Sequence, residues 1–190
     1  MLGFAWIMNA FNSLTPAYLA VDSPQGLGLG PVLAGKQMMG VQLGMILGSV
    51  AAGVLIGKVF KGNVRPVLVT GFLFAAIFML SIKFPFVYDN AGVMALSLFL
   101  AGFFESFIAP GVATFIALQY PHDIVGRVFA LSFGTCLFGG AIGVGVGGAI
   151  LHYTNSFHWP IIVVSLVALL GLIAAAFLKP PAAFAGRHKF

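Results

Sequence analysis

Glu105 is the most conspicuous candidate for chemistry, because its carboxylate lies in an otherwise apolar stretch, LFLAGFFESFIAPG. A charged side chain at bilayer depth costs about 2.5 to 3.5 kcal/mol. A nearby Lys or Arg would keep the group ionised, whereas an unpaired carboxyl group is expected to hold a proton. Two interpretations stay open. Glu105 either exchanges a proton or contacts a polar solute, or it is a permanently neutral acid hydrogen-bonded to a neighbouring helix.

Helical periodicity predicts the surroundings of Glu105. The residues on its own face are mainly small, and Phe side chains occupy the opposite face. The same-face residues are Leu98, Ala101, Gly102, Ile108, Ala109 and Val112, and the opposite ones are Phe99, Phe103 and Phe107. We therefore expect Glu105 to point toward protein or a cavity, and Pro110 with Gly111 to kink the helix beside it. The central parts of the apolar segments contain no Lys or Arg, so a cationic partner would have to come from another half or from a solute.

A second candidate set lies on the first apolar segment. Asn9, Asn12, Ser13 and Pro16 follow i, i+3, i+4 and i+7 spacing and form one continuous face of a helix. This stripe either makes interhelical hydrogen bonds or contacts a polar solute, and we favour the solute. Weaker candidates of the same kind are Gln42, Ser132 and Thr135.

Other familiar sites find little support. Gly143, Gly145 and Gly148 fit the spacing of a dinucleotide fingerprint, but no strand precedes them and no acidic residue follows at the required distance. The four histidines lack the spacing of metal ligands, and one intramembrane carboxylate is not a catalytic constellation. The single cysteine, Cys136, excludes an intrachain disulfide. We therefore expect no enzyme activity, no metal, no cofactor and, because the basic residues are scattered, no nucleic-acid partner.

Composition identifies the element that must position these residues as a membrane helix. The 190 residues are 61% hydrophobic and 7% charged, whereas soluble domains carry about 25% charged residues. A bilayer core needs about 20 apolar residues per helix, and the chain predicts six such spans. They cover about 2–20, 35–57, 66–83, 91–117, 127–151 and 159–178, followed by a short basic tail at 179–190.

The basic residues predict orientation. With six spans, one set of connections contains Lys58, Lys61, Arg65, Arg127 and the tail, and the other contains Lys36 and Lys83. Cytoplasmic loops carry the excess of Lys and Arg, so both termini are expected in the cytoplasm.

Small residues predict close helix packing. Gly40, Gly44, Gly48 and Ala52 recur every fourth position in span two, and span five contains GTCLFGGAIGVGVGGAI. Such spacing lets backbones approach closely in lipid, and packing is preferred here over solute contact. Spans three and six carry almost no polar residues and are expected at the periphery.

Three segments resemble the major facilitator superfamily of transporters. The loop GVLIGKVFKGNVRPVLVTG resembles that family's cytoplasmic loop motif, a glycine-led turn (Gly53) followed by basic residues (Lys58, Lys61, Arg65). QYPHDIVGRVFALSFGTCLFGGAIGVGVGGAIL is similar to its passage from the tenth to the eleventh helix, and FHWPIIVVSLVALLGLIAAAF to its twelfth.

The resemblance implies an all-α membrane protein that corresponds to the C-terminal six-helix half of that family, arranged as a 3+3 inverted repeat. It further implies ion-coupled alternating access for a small polar solute, an organic anion or sugar-like compound, by symport in a bacterial cytoplasmic (inner) membrane. Membrane lipid, the solute, and a missing N-terminal half or second copy are the expected partners. A noncatalytic membrane scaffold and an inactive transporter fragment remain alternatives.

Overall fold

The computed structural model describes residues 2–178, which fold entirely into helices and connecting loops. The predicted tail at 179–190 lies outside the described residues. The helices are α1 (Leu2–Ala20), α2 (Gly30–Val54), α3 (Arg65–Ser81), α4 (Pro85–Tyr88), α5 (Ala91–Glu105), α6 (Ile108–Gln119), α7 (His122–Thr154) and α8 (His158–Ala176).

Local sequence signals account for several helix ends. Proline occupies the first turn of α2, α3 and α4, where a backbone N–H would have no intrahelical partner. The side chain of Asn90 caps α5 by accepting hydrogen bonds from the backbone N–H groups of Gly92 and Val93. At its C-terminal end, α7 stops at Asn155, which adopts the left-handed conformation with φ of 50°.

The fourth predicted span is broken into two helices, which the sequence did not predict at this position. Helix α5 ends at Glu105 and α6 begins at Ile108. Pro110 is the cause that the sequence supplies, because it has no N–H to donate to the carbonyl of Ser106 four residues earlier. We expected the kink at Pro110 and Gly111, but both lie inside α6, and the break falls one turn earlier.

Among residues 2–178, four helical stretches are long and apolar enough to cross a membrane. They are Gly30–Val59, Ala91–Gln119, His122–Thr154 and His158–Ala176. Arg65–Ser81 is apolar but shorter, with 17 residues. The first helix coincides with the first predicted span, but its two asparagines, Ser13 and Pro16 dilute its apolar character.

Glycines bring α2 against α5, as the small-residue spacing predicted. A Cβ atom on Gly44 would overlap the backbone of Phe99, and one on Gly48 would overlap the backbone of Phe103. On the other side of the contact, a Cβ on Gly102 would overlap the backbone of Val41. The two helices therefore touch through their main chains.

Helix α7 packs on α1 in the same way. A Cβ on Gly139 would overlap the backbone of Leu2, and one on Gly143 would press on Trp6. By contrast, Gly145 and Gly148 have open space where a Cβ would lie. The three glycines of the G-x-G-x-x-G pattern thus lie on two faces of α7. Gly143 lies on the packed face, and Gly145 and Gly148 lie on the open face.

Three connections meet at one end of the bundle. The backbone N–H of Phe157 donates to the carbonyl of Gln25 at 3.3 Å. The ring of Tyr18 lies edge-on to His158, with centroids 5.6 Å apart. Tyr88 and Asp89 share a small cavity with His158 and residues of the first connection. Helices α1, α3 and α7 therefore end where α2, α5 and α8 begin, so successive membrane segments alternate in direction.

Candidate functional site

An open groove of about 450 Å³ lies between α1, α2, α6 and α7. Its wall is largely apolar and carries three polar side chains, Gln42, Ser49 and Ser106. The apolar part of the wall comprises Phe4, Met8, Met45, Ile46, Ala109, Pro110, Ala113 and Phe133. A concave apolar surface with a few placed polar groups is typical of small-molecule sites.

Helix α2 contributes two of these polar groups because of its two-faced sequence. Gln42 and Ser49 are seven residues apart, which is two helical turns, and both are exposed. Gly44 and Gly48 lie on the buried face and contact α5. The glycine face thus fixes α2 against α5, and the polar face is left turned toward the groove.

Asn12 is hydrogen-bonded to Gln42, which is one of the residues of the groove wall. The side-chain amide of Gln42 donates from Nε2 to Oδ1 of Asn12 at 3.1 Å, which links α2 to α1. Asn12 in turn donates from Nδ2 to the carbonyl of Met8 at 2.8 Å. Two of the predicted site residues therefore form one hydrogen-bonded pair between helices.

Asn9 lies in a different and smaller groove. It donates from Nδ2 to the carbonyl of Ala5 within its own helix at 3.0 Å. Together with Leu137, Gly140, Ala141 and Val144 of α7, it lines a groove of about 180 Å³. Of the stripe on α1, Asn9 thus lines the smaller groove, whereas Asn12 bonds to a wall residue of the larger one.

The remaining polar candidates are not among the residues that line either groove. Ser13 is exposed. Thr135 is also exposed and donates from Oγ1 to the carbonyl of Ser132 at 2.8 Å, within α7. Phe133, between them in the sequence, is the α7 residue that reaches the larger groove.

Glu105 is completely buried at the end of α5. Within residues 2–178, neither of its carboxylate oxygens has a hydrogen-bond partner. Leu98, Ala101 and Ile108, which were predicted to share its face, are also fully buried. Glu105 is not among the residues that line the groove, although Ser106 is, so the carboxylate lies behind the wall rather than on it.

Ser49 and Ser106 are groove residues that sequence reasoning missed. Ser106 donates from Oγ to the carbonyl of Phe103 at 2.8 Å, and Ser49 donates to the carbonyl of Ile46 at 2.8 Å. For Ser49, the available signal was its two-turn spacing from Gln42. For Ser106, the signal would have been the carbonyl freed by Pro110, because a broken helix turns its polar groups toward a cavity.

The basic loop after α2 differs in detail from the predicted motif. Gly53 lies within α2, which continues through a π-helical turn, Leu55–Val59, that contains Lys58. Lys61 and Gly62 make the turn itself, with φ values of 48° and 93°. Gly62 is therefore the glycine that the turn requires. Arg65 begins α3, and its N–H donates to Oδ1 of Asn63 at 3.2 Å.

The groove supplies uncharged hydrogen-bonding groups on an apolar background. An amide and two hydroxyls can bind and orient a polar solute, but they include no activated nucleophile or general base. Within the described ranges, no group of three or more His, Cys, Asp or Glu side chains could hold a metal ion. The arrangement therefore suits binding rather than bond chemistry.

Comparison with known proteins agrees with the helical fold described above. The chain superposes on a crystal structure of the peptide transporter POT, a mutant in complex with sulfate, with a TM-score of 0.71 and 15% sequence identity. The match covers 99% of this chain and 40% of the transporter, so the chain spans less than half the length of that protein. No curated protein matched the chain by sequence. The profile of the Major Facilitator Superfamily matches residues 1–189. The chain belongs to the Major Facilitator Superfamily, which is a family of transporters and not of enzymes.

Proposed function

We propose that this chain is the C-terminal six-helix half of a secondary transporter that moves a small polar solute by ion-coupled alternating access. The observation that carries the proposal is the groove between α1, α2, α6 and α7, with Gln42, Ser49 and Ser106 in its wall. Transporters of this architecture bind the solute between two repeats and expose it to alternate sides by rocking them.

The pattern of helix contacts supports a 3+3 repeat. If α5 and α6 count as one span, the repeat pairs α1 with α5 and α6, α2 with α7, and α3 with α8. Under this pairing, the contact of α2 with α5 in one repeat corresponds to the contact of α7 with α1. In the same way, the contact of α3 with α5 corresponds to the contact of α8 with α1. The contact of α3 with α8 maps onto itself. Such a pairing is expected for inverted repeats.

A second half is the proposed partner. Helices α2 and α7 carry exposed apolar side chains in and near the groove, among them Ile46 and Val50 on α2 and Leu137 and Phe138 on α7. An N-terminal half, or a second copy of this chain, would cover these faces and close the groove into a central cavity. The match covers 40% of the transporter, as expected if this chain is one of two halves of a transporter.

The solute is proposed to be neutral or sugar-like rather than a strongly charged anion. The polar side chains that residues 2–178 contribute to the groove are an amide and two hydroxyls. Such groups can form hydrogen bonds with the hydroxyls and carbonyls of an uncharged solute. An organic anion would need its cationic partner from the other half.

Ion coupling is assigned to Glu105, with protons as the coupling ion. The carboxylate is buried directly beside the break between α5 and α6, and Ser106 of that break lines the groove. A change of charge at this point would change the cost of burial, and hence the packing of the broken helix. We propose that the protein lies in a bacterial inner membrane. Both termini are proposed to lie in the cytoplasm, because Lys58, Lys61, Arg65 and Arg127 then obey the positive-inside rule.

The test is solute uptake into proteoliposomes. The chain is purified through an affinity tag from membranes of its source, so that a partner half copurifies. Sugars, organic anions and dipeptides are offered with and without an inward proton gradient, and the dipeptides are included because of the matched transporter. We expect gradient-dependent accumulation of one class, and a fall of at least about tenfold in Gln42→Leu, which corresponds to about 1.4 kcal/mol.

Two variants sharpen this test. Gln37→Leu is the matched control for Gln42, because Gln37 lies on the same helix but donates to the carbonyl of Ala91, away from the groove. Glu105→Gln keeps the shape and removes the titratable group, so uptake should lose its dependence on the proton gradient. Normal proton-driven accumulation in Glu105→Gln would refute the coupling role. Failure of the purified assembly to take up any class would favour the scaffold instead.

A further inference from the structure

A third groove opens between α1, α3 and α8, and it shares only Phe4 with the solute groove. Its volume is about 570 Å³, and its lining includes Trp6, Leu68, Phe72, Leu170 and Ala174. Every residue that lines it is apolar or glycine. Gly171 lets the ring of Phe72 lie directly against α8, because a Cβ there would overlap that ring. The groove therefore offers room to an apolar group that enters from the side of the bundle.

A cation precedes the residues of α3 that line this groove. Arg65 is the first residue of α3 and is exposed. Arg65, Leu68 and Phe72 follow i, i+3 and i+7 spacing and share one face of that helix. Because a helix rises about 1.5 Å per residue, Phe72 lies about 10 Å further along the helix axis than Arg65. The face thus presents a guanidinium at the membrane surface and an apolar groove below it.

We propose that this groove holds an acyl chain of an anionic glycerophospholipid from the leaflet on the Arg65 side, with the lipid phosphate paired to the Arg65 guanidinium. A basic residue above a cleft between membrane helices is complementary to a lipid phosphate, and guanidinium matches its geometry. This lipid site is independent of the proposed solute and of the coupling role of Glu105.

Tryptophan fluorescence gives a direct test, because the chain has two tryptophans at separate places. Trp6 lines the groove, whereas Trp159 lies near the opposite end of the bundle and is 55% exposed. Single-tryptophan forms, Trp159→Phe and Trp6→Phe, are placed in phosphatidylcholine nanodiscs. Phosphatidylglycerol with brominated acyl chains, which quench indole fluorescence on contact, is then added in increasing mole fraction.

We expect Trp6 to reach half-maximal quenching at a mole fraction at least about threefold lower than Trp159, which reports ordinary lipid contact. Arg65→Ala should remove this preference, whereas Lys58→Ala, a matched loss of one charge in the same connection, should keep it. Ala174→Phe fills the groove and should also remove the preference. Leu166→Phe places the same ring on an exposed position of α8 outside the groove and should not.

Three results would overturn the proposal. Superimposable curves for Trp6 and Trp159 would mean that lipid contacts both positions without a site, or that another occupant, such as a second copy, fills the groove. A preference that survives Ala174→Phe would place the acyl chain elsewhere. A preference that survives Arg65→Ala would mean that the phosphate is not held by this guanidinium. Circular dichroism of each variant confirms that the helices are retained.

Discussion

At the scale of single residues, glycine decides how closely the helices approach. Gly44 contacts the main chain of Phe99, so a methyl group there has no space. Gly35 lies on the same helix, but nothing is within 4 Å of the place where its Cβ would lie. Two glycines of one helix, with similar backbone conformations, therefore have opposite tolerance to substitution.

We predict that Gly44→Ala destabilises the folded chain by about 1 to 3 kcal/mol, because α2 must separate from α5 to admit the methyl group. Gly35→Ala should be neutral or stabilising by up to about 1 kcal/mol, since alanine favours helix over glycine. Reversible unfolding in mixed micelles measures both. Equal stability of the two variants would contradict the close contact between these helices.

The hydrogen bond between Asn12 and Gln42 makes a second prediction at this scale. A double-mutant cycle with Asn12→Ala and Gln42→Ala should give a coupling free energy of about 0.6 kcal/mol, and at most about 1.7 kcal/mol, the range measured between membrane helices. The same cycle with Asn9→Ala is the control, because Asn9 donates to the carbonyl of Ala5 within its own helix. Coupling of Gln42 to Asn9 as strong as to Asn12 would contradict the pairing.

At the scale of elements, the sequence predicted where helices lie better than where they break. The first predicted span coincides with α1, and the other five overlap the observed helices, because runs of apolar residues mark membrane helices clearly. The break after Glu105 was displaced from the prediction, because a proline frees a carbonyl one turn before itself.

The candidate site was only partly predictable from the sequence, because the sequence does not show how the helices pack. Helical periodicity placed Asn9, Asn12 and Ser13 on one stripe, but it could not tell which neighbour each would meet. Asn12 meets Gln42, Asn9 bonds its own helix, and Ser13 is exposed. The partner of a side chain depends on how helices pack, and one sequence contains that information only where small residues mark the contact.

The break between α5 and α6 gives a prediction for the element as a whole. Pro110→Ala supplies the missing N–H, which can donate to the carbonyl of Ser106 and join the two helices. We expect amide exchange with deuterium across residues 104–110 to slow by at least about tenfold, since a protected amide must first open. Uptake should fall as well if the break moves during transport.

Pro66→Ala is the matched control for this substitution. Pro66 lies in the first turn of α3, where its missing N–H breaks no helical hydrogen bond. Exchange near residues 104–110 should therefore match that of the unmodified chain. Unchanged exchange in Pro110→Ala would mean that the break is imposed by packing around Glu105 rather than by the proline.

At the scale of the whole molecule, the end where three connections meet should lie outside the cell. Gln25, Asp89 and Phe157 belong to connections that share this end. Lys58, Lys61 and Arg65 lie in the connection after α2, at the end where α3 begins. The two ends therefore differ in basic charge, and the positive-inside rule assigns the more basic one to the cytoplasm.

Thiol labelling of intact bacterial cells tests this orientation. In a Cys136→Ala background, Asp89→Cys and Lys58→Cys each introduce one exposed thiol, at opposite ends of the bundle. We expect a membrane-impermeant maleimide to label Asp89→Cys in intact cells, and to label Lys58→Cys only after the membrane is permeabilised. Because successive spans alternate in direction, the reverse labelling pattern would mean that every span has the opposite orientation. The basic loop after α2 and both termini would then lie outside the cell.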